Sequence, residues 1–182
     1  MTTRRVLVSV GSDHHPYDRL VRWVDAFAAQ RPDVDVFVQY GTSAAPRHAS
    51  GAAYLQHSEL TRLMDEVDVI VTQGGPTGIT ESRRHGIKPV VAPRHARLGE
   101  HVDDHQRAFA RFLGEIGEVI LVDTEDASEF TARLSAVLED VSSVRVDPSA
   151  DDVAIAASVS HFAELVAALP RHRGAEAEQV LR

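Results

Sequence analysis

Short β-branched runs alternating with stretches of helical spacing constrain this chain more than any other feature. Val6–Val10, Val34–Tyr40, Val67–Thr72, Pro89–Ala92 and Val119–Val122 are apolar runs flanked by glycine, proline or polar residues. That is the pattern of strands buried on both faces of a parallel sheet. Between them, apolar residues recur every three or four positions. Residues 16–30 align Leu20, Val21, Val24, Phe27 and Ala28 behind Pro16, a residue suited to a helix's first turn. Ser58–Val67 aligns Leu60, Leu63 and Met64, and a short helix over 77–85 is stopped by Gly86. Residues 103–113 align Ala108, Phe109, Phe112 and Leu113, and a further helix spans about 126–138. Residues 42–53 are small and polar and read as a mobile loop, with Tyr54–Leu55 as a short third strand. Strands joined through helices require right-handed crossovers, so the expected fold is α/β, a doubly wound, Rossmann-like parallel sheet.

At 182 residues the chain holds one sizeable core. Residues 1–141 are expected to form that domain, with 142–152 as a linker. An amphipathic helix over 153–169 carries Ile155, Val159, Phe162, Val166 and Leu169 on one stripe, to pack on the domain or on a partner. Residues 170–182 form a polar tail. A formal net charge of −8 argues against nucleic acid as a partner. The absence of cysteine excludes disulfides, thiolate catalysis and cysteine-ligated metals. The apolar run Val6–Val10 is too short for a signal peptide or a membrane span, which leads to the expectation of a cytoplasmic protein.

Doubly wound sheets bind ligands beyond the carboxyl ends of their strands, which directs attention to the loops after Val10, Tyr40, Thr72 and Ala92. The loop 73–78 supplies Gly74, Gly75 and Gly78 ahead of a helix, a turn whose free N–H groups suit a phosphate. It is neither a P-loop nor a GxGxxG dinucleotide turn. Glu81 follows; a carboxylate there suits a neutral diol such as ribose, or simply complements the helix dipole. Residues 83–97 carry five of the 19 lysines and arginines and no acid, which suits a diphosphate or an acidic partner surface. In GEHVDDHQ, His105 and Gln106 can bond sugar hydroxyls, and an acid can cap the next helix. His101 and His105 stand at i, i+4 without a third histidine or an HExxH context, so no metal site is expected. His14, beside Asp13 and His15 after the first strand, is the candidate general base, since an imidazole titrates near neutrality. A hydrolase using His14, His101 and His105 would need a bound metal.

Three segments taken together, VSVGSDHHPYDRL, DVIVTQGGPTGITESRRHGIKPVVAPR and LGEHVDDHQ, resemble the C-terminal-domain class of glycosyltransferase family 28. The likeness runs from about residue 6 to 123. It is greatest to the small subunits of bacterial exopolysaccharide and capsule transferases and to the soluble subunit of the eukaryotic dolichol-linked N-acetylglucosaminyltransferase. The resemblance implies the donor-binding half of a GT-B fold. Gly11, Ser12, Gly74, Gly75, Thr77 and Gly78 would then face the donor diphosphate, Glu81 the ribose, and His105 and Gln106 the donor sugar. Gln73 and Thr77-Gly78 depart from the family pattern, in which serine or histidine often precedes the glycines and Gly-Ser often follows. The implied chemistry is inverting transfer from a UDP-sugar to a lipid-linked polysaccharide precursor, with no metal or other cofactor, by electrostatic stabilisation of the departing diphosphate. The resemblance also implies an acceptor-binding half on a separate membrane-anchored subunit, which would recruit this chain to the inner face of the membrane. A nucleotide-sugar-binding regulatory or assembly subunit without turnover is the alternative.

Overall fold

Four of the six residues of β1 (Arg4–Ser9) are buried, because this strand runs through the middle of a sheet covered on both sides. The structure, a computed structural model, describes residues 3–149. Alternation along β1 sends Val6 and Val8 into the core shared with α1 (Asp18–Gln30) and α5 (Ala127–Glu139), while Leu7 joins the cluster built on α2 (His57–Glu66). The remaining strands are β2 (Val34–Gln39), β3 (Ser50–Ala52), β4 (Val69–Thr72), β5 (Val90–Val91) and β6 (Ile120–Leu121). Helices α3 (Pro76–Arg84) and α4 (His105–Glu115) complete the wrapping, with Ile79, Phe109, Ala110 and Leu113 packing on Val91.

All strand pairs are parallel, in the order β3-β2-β1-β4-β5-β6. The chain therefore winds outward one way from β1 and then returns to begin again at β4. The reversal opens a crevice between the carboxyl ends of β1 and β4, the place where doubly wound sheets take their ligands.

Two expectations need correction. The third strand is Ser50–Ala52, inside the stretch read as a mobile loop, and Tyr54 is an exposed residue beyond it. Its small residues are the reason: a Cβ on Gly51 would come 2.4 Å from the carbonyl oxygen of Val38, so only a glycine allows this close pairing with β2. The start of the supposed linker also belongs to the domain. Val144 is fully buried, its carbonyl accepts from the Lys88 N–H at 2.7 Å, and Val146 N–H donates to the Gly86 carbonyl at 3.0 Å. The helix expected over 153–169 and the tail 170–182 lie outside the described residues.

Candidate functional site

The crevice between β1 and β4 is a cleft of about 510 Å³, within the range of roughly 300–1,000 Å³ usual for small-molecule sites. Ser9, Gly11, Ser12 and Asp13 form one side. Thr72, Gln73, Gly75, Pro76, Thr77 and Gly78 form the other. Pro76 opens α3 without wasting an N–H, and Thr77 and Gly78 carry first-turn N–H groups with no intrahelical carbonyl to reach. These donors and the positive end of the helix face a ligand space suited to an anion.

Gly74 and Gly78 serve the turn in different ways. Gly74 has φ +99°, a backbone conformation that favours glycine, and packs toward Val91 and Ala110 rather than lining the cleft. At Gly78 a Cβ would lie 2.7 Å from Thr72 Oγ1, so the missing side chain lets α3 sit down on the end of β4. The Gln73 amide lies across the cleft floor between the two loops: a Cβ on Gly11 would meet it at 2.5 Å and one on Gly75 at 3.0 Å. Its Oε1 accepts from the Thr72 hydroxyl at 2.7 Å.

Glu81 stands one turn into α3, with its carboxylate in the cleft and 22% exposed. Opposite it is His57, whose Nε2 is 3.7 Å away. Leu55, Leu60 and Met64 add an apolar wall on that side, and Gln106 reaches in from α4. The expected residues Gly11, Ser12, Gly75, Thr77, Gly78, Glu81 and Gln106 are thus brought together. Two others are not. His105 turns its Nδ1 to Asp103 at 2.9 Å and is 59% exposed, because the acid that precedes the helix captures it. His14 stands outside the cleft lining, 82% exposed at the rim. The sequence reading passed over Asp13 as a lining group, Gln73 and His57. Gln73 sits at the strand end where a ligand is expected, so position alone could have marked it; His57 reaches Glu81 only through the packing of α2 on the sheet.

The basic stretch 83–97 does not supply the cleft. None of its five cations is among the lining residues. Arg83 pairs with Glu118 at 2.8 Å, and Arg97 pairs with Glu125. Arg94, 1% exposed, donates to the carbonyls of Val10, His15 and Glu100 at 2.7–2.8 Å. Beside it Arg19 makes a two-pronged contact with the Glu100 carboxylate, both bonds 2.8 Å, and donates to the carbonyls of Pro93 and Thr124. His95 lies between Asp123 at 2.8 Å and Glu125 at 3.1 Å. Burial, with the Arg19 and Arg107 guanidiniums, holds the His95 imidazole below its ordinary pKa despite Asp123. Burial opposes the charge on Asp123 too, yet bonds from Arg107, Arg111 and His95 keep its carboxyl below the usual carboxylate range. This network locks the loop after β5 to α1 and β6.

A family model described as the glycosyltransferase family 28 C-terminal domain matches residues 5–165. The chain belongs to this family. The family 28 domain is also similar in fold to solved glycosyltransferases. One is the glycotransferase of kitacinnamycin, at 25% identity and TM-score 0.59, with 91% of this chain and 40% of that one covered. Others are MurG of Acinetobacter baumannii, at 22% identity and TM-score 0.54 over 79% and 43% of the two chains, and the spinosyn rhamnosyltransferase SpnG complexed with thymidine diphosphate, at 20% and 0.54 over 92% and 45%. The domain therefore spans less than half the length of these structures. No curated protein matches it. Among the described residues no helix is long and apolar enough to cross a membrane.

Proposed function

We propose that this family 28 domain binds the nucleoside-diphosphate end of a sugar donor and forms the donor half of an inverting glycosyltransferase. The observation that carries the reading is the cleft at the β1/β4 crevice, where the free N–H groups at the start of α3 and the Glu81 carboxylate face one ligand space. The diphosphate lies against Gly11, Ser12, Gly75, Thr77 and Gly78, over the turn that Gly74 shapes. Glu81 accepts hydrogen bonds from the ribose hydroxyls, and Gln106 meets the donor sugar, with His105 reaching that sugar only after leaving Asp103. Backbone donors stabilise the charge that develops on the departing diphosphate, and they need no reorganisation to do so.

The donor is a UDP-sugar and the acceptor a lipid-linked polysaccharide precursor, in the reading that the motif resemblance supports. The acceptor-binding half belongs, in the same reading, to a membrane-anchored partner that recruits the domain to the inner face of the membrane. His14 is the base assigned to this chain, at the rim from which an acceptor hydroxyl would approach.

Thermal stabilisation by UDP, GDP and dTDP and their sugars tests the donor class, since a ligand of the native state raises its stability with the logarithm of its affinity at fixed concentration. UDP is expected to give the largest rise, and no rise with any of the three overturns the reading. Sugar transfer on co-expression with the membrane partner separates the enzyme from a subunit that binds without turnover. Retained transfer in His14→Ala moves the base to the partner.

A further inference from the structure

The Glu81 carboxylate is mostly buried, yet among the described residues no hydrogen bond reaches it. Its polar neighbour is His57, the first residue of α2, whose Nε2 stands 3.7 Å from Glu81 Oε1. That is beyond the roughly 2.7–3.2 Å of an N–H···O bond. Both groups line the cleft. A hydroxyl oxygen about 2.8 Å from each of them closes a triangle on the 3.7 Å base. The two side chains are therefore spaced to share one hydroxyl between them.

A ribose hydroxyl needs such a pair. It has one proton to give and lone pairs that accept, whereas an ionised carboxylate only accepts. Glu81 alone would take the protons of the diol and leave its oxygens, removed from water, without donors. Few side chains can supply them there. The cleft lining holds no lysine or arginine. Ser82, next to Glu81, donates its hydroxyl to the Gly78 carbonyl at 2.7 Å, and Thr72 donates to Gln73. The Gln106 amide lies over Gly75, its Oε1 3.9 Å from where a Cβ on that glycine would stand, on the side given to the diphosphate. The imidazole of His57 is the N–H group that faces Glu81. The carboxylate favours the tautomer with the proton on Nε2, since an unprotonated Nε2 would set a lone pair against Oε1.

We infer, on the donor reading above, that His57 determines specificity for the donor's pentose: its Nε2–H donates to the ribose 2′-hydroxyl while Glu81 accepts the protons of the 2′- and 3′-hydroxyls. The donor is thereby a ribonucleotide and not a deoxyribonucleotide. The shape of the cleft assigns the 2′-hydroxyl to His57. The diphosphate at the start of α3 holds the 5′ end of the ribose, and the apolar wall of Leu55, Leu60 and Met64 leaves the base on the α2 side. The 2′-hydroxyl is the one beside the base, so it falls next to α2, where His57 stands. A site built to bond a hydroxyl rejects the analogue that lacks it, because its own polar groups are then left without partners. His57 is 74% exposed, so water replaces part of the loss and the discrimination stays near tenfold, far below that of an enclosed site.

Calorimetric titration with UDP and with 2′-deoxy-UDP, which differ in that one hydroxyl, tests the assignment. The wild type binds UDP about tenfold more tightly than its deoxy analogue. His57→Ala weakens UDP and brings the ratio to about threefold or less, and His57→Gln, which returns an N–H donor of similar reach, recovers most of it. The side chain is exposed, so neither variant disturbs the core. A wild type that binds both nucleotides equally overturns the inference. So does His57→Ala with the wild-type ratio, even where both affinities fall, because a merely structural role lowers them together. In either case UDP still binds and the donor reading stands. A wild type that binds neither nucleotide overturns the UDP reading, and the inference with it.

Discussion

The cleft and the ion network behind it lie on neighbouring loops and use charge in opposite ways. The network buries Arg19, Arg94, His95 and Glu100 and matches each with hydrogen bonds. The cleft has no lysine or arginine in its lining and relies on backbone N–H groups at the start of α3, with Glu81 and Asp13 as its carboxylates. A buried charge must be paired to be tolerated, so arginines near the ligand loops become struts. A ligand that arrives and leaves with its own charge is better met by fixed dipoles, which carry little desolvation cost when the site is empty.

Removing a strut is expected to have the largest effect. Glu100→Ala leaves Arg19 buried without its carboxylate and should cost about 3–5 kcal/mol of stability in denaturant unfolding. A loss below about 1 kcal/mol would show that the network is no more than a surface ion pair. Glu81→Ala should do the converse: UDP affinity falls by roughly tenfold or more, the worth of hydrogen bonds to a charged group, with stability nearly unchanged. Unchanged calorimetric affinity would remove Glu81 from the ribose. Gly78→Ala forces a methyl to 2.7 Å from Thr72 Oγ1 and should destabilise by about 1–3 kcal/mol, with UDP binding weakened because α3 is displaced.

Acid should loosen the network. His95 has a folded pKa below its unfolded value of 6.5, so as pH falls through 6.5 the unfolded chain takes a proton that the folded one refuses. Asp123, with a folded pKa below 3.8, loses its contribution only at still lower pH. Melting temperature should therefore hold above pH 7 and decline from about pH 6.5 downward, and His95→Asn should flatten the first part of that decline. The smallest effect belongs to Arg97→Ala. Its side chain is 60% exposed, so stability should change by less than about 0.5 kcal/mol. A loss of UDP affinity in this variant would break the comparison, by giving the basic stretch a part in the cleft.

Periodicity was enough for the layers. Leu20, Val21, Val24 and Phe27 are buried as their spacing requires, and the glycine turn before α3 stands where a strand end should place it. Ser50–Ala52 was illegible because an edge strand of small residues has the composition of a loop, and only its pairing with β2 makes it a strand. Val144 was hidden in a polar stretch because burial at Ile87 and Gly86 comes from a contact more than fifty positions away. Arg83–Arg97 misled for a related reason: composition counts charges, and it does not say which acids will reach them.

The order of strands and helices, the turn glycines and the carboxylate behind them follow from the chain itself, since backbone geometry and hydrophobic spacing are local properties. Which of its charges would be consumed in the interior was a matter of tertiary packing. Glu100 meets Arg19 across 81 positions, and His101 meets Asp13 across the β1 and α4 loops, because the parallel sheet sets the ends of its strands side by side. Distance along the chain carries no record of such meetings; the winding of the sheet creates them.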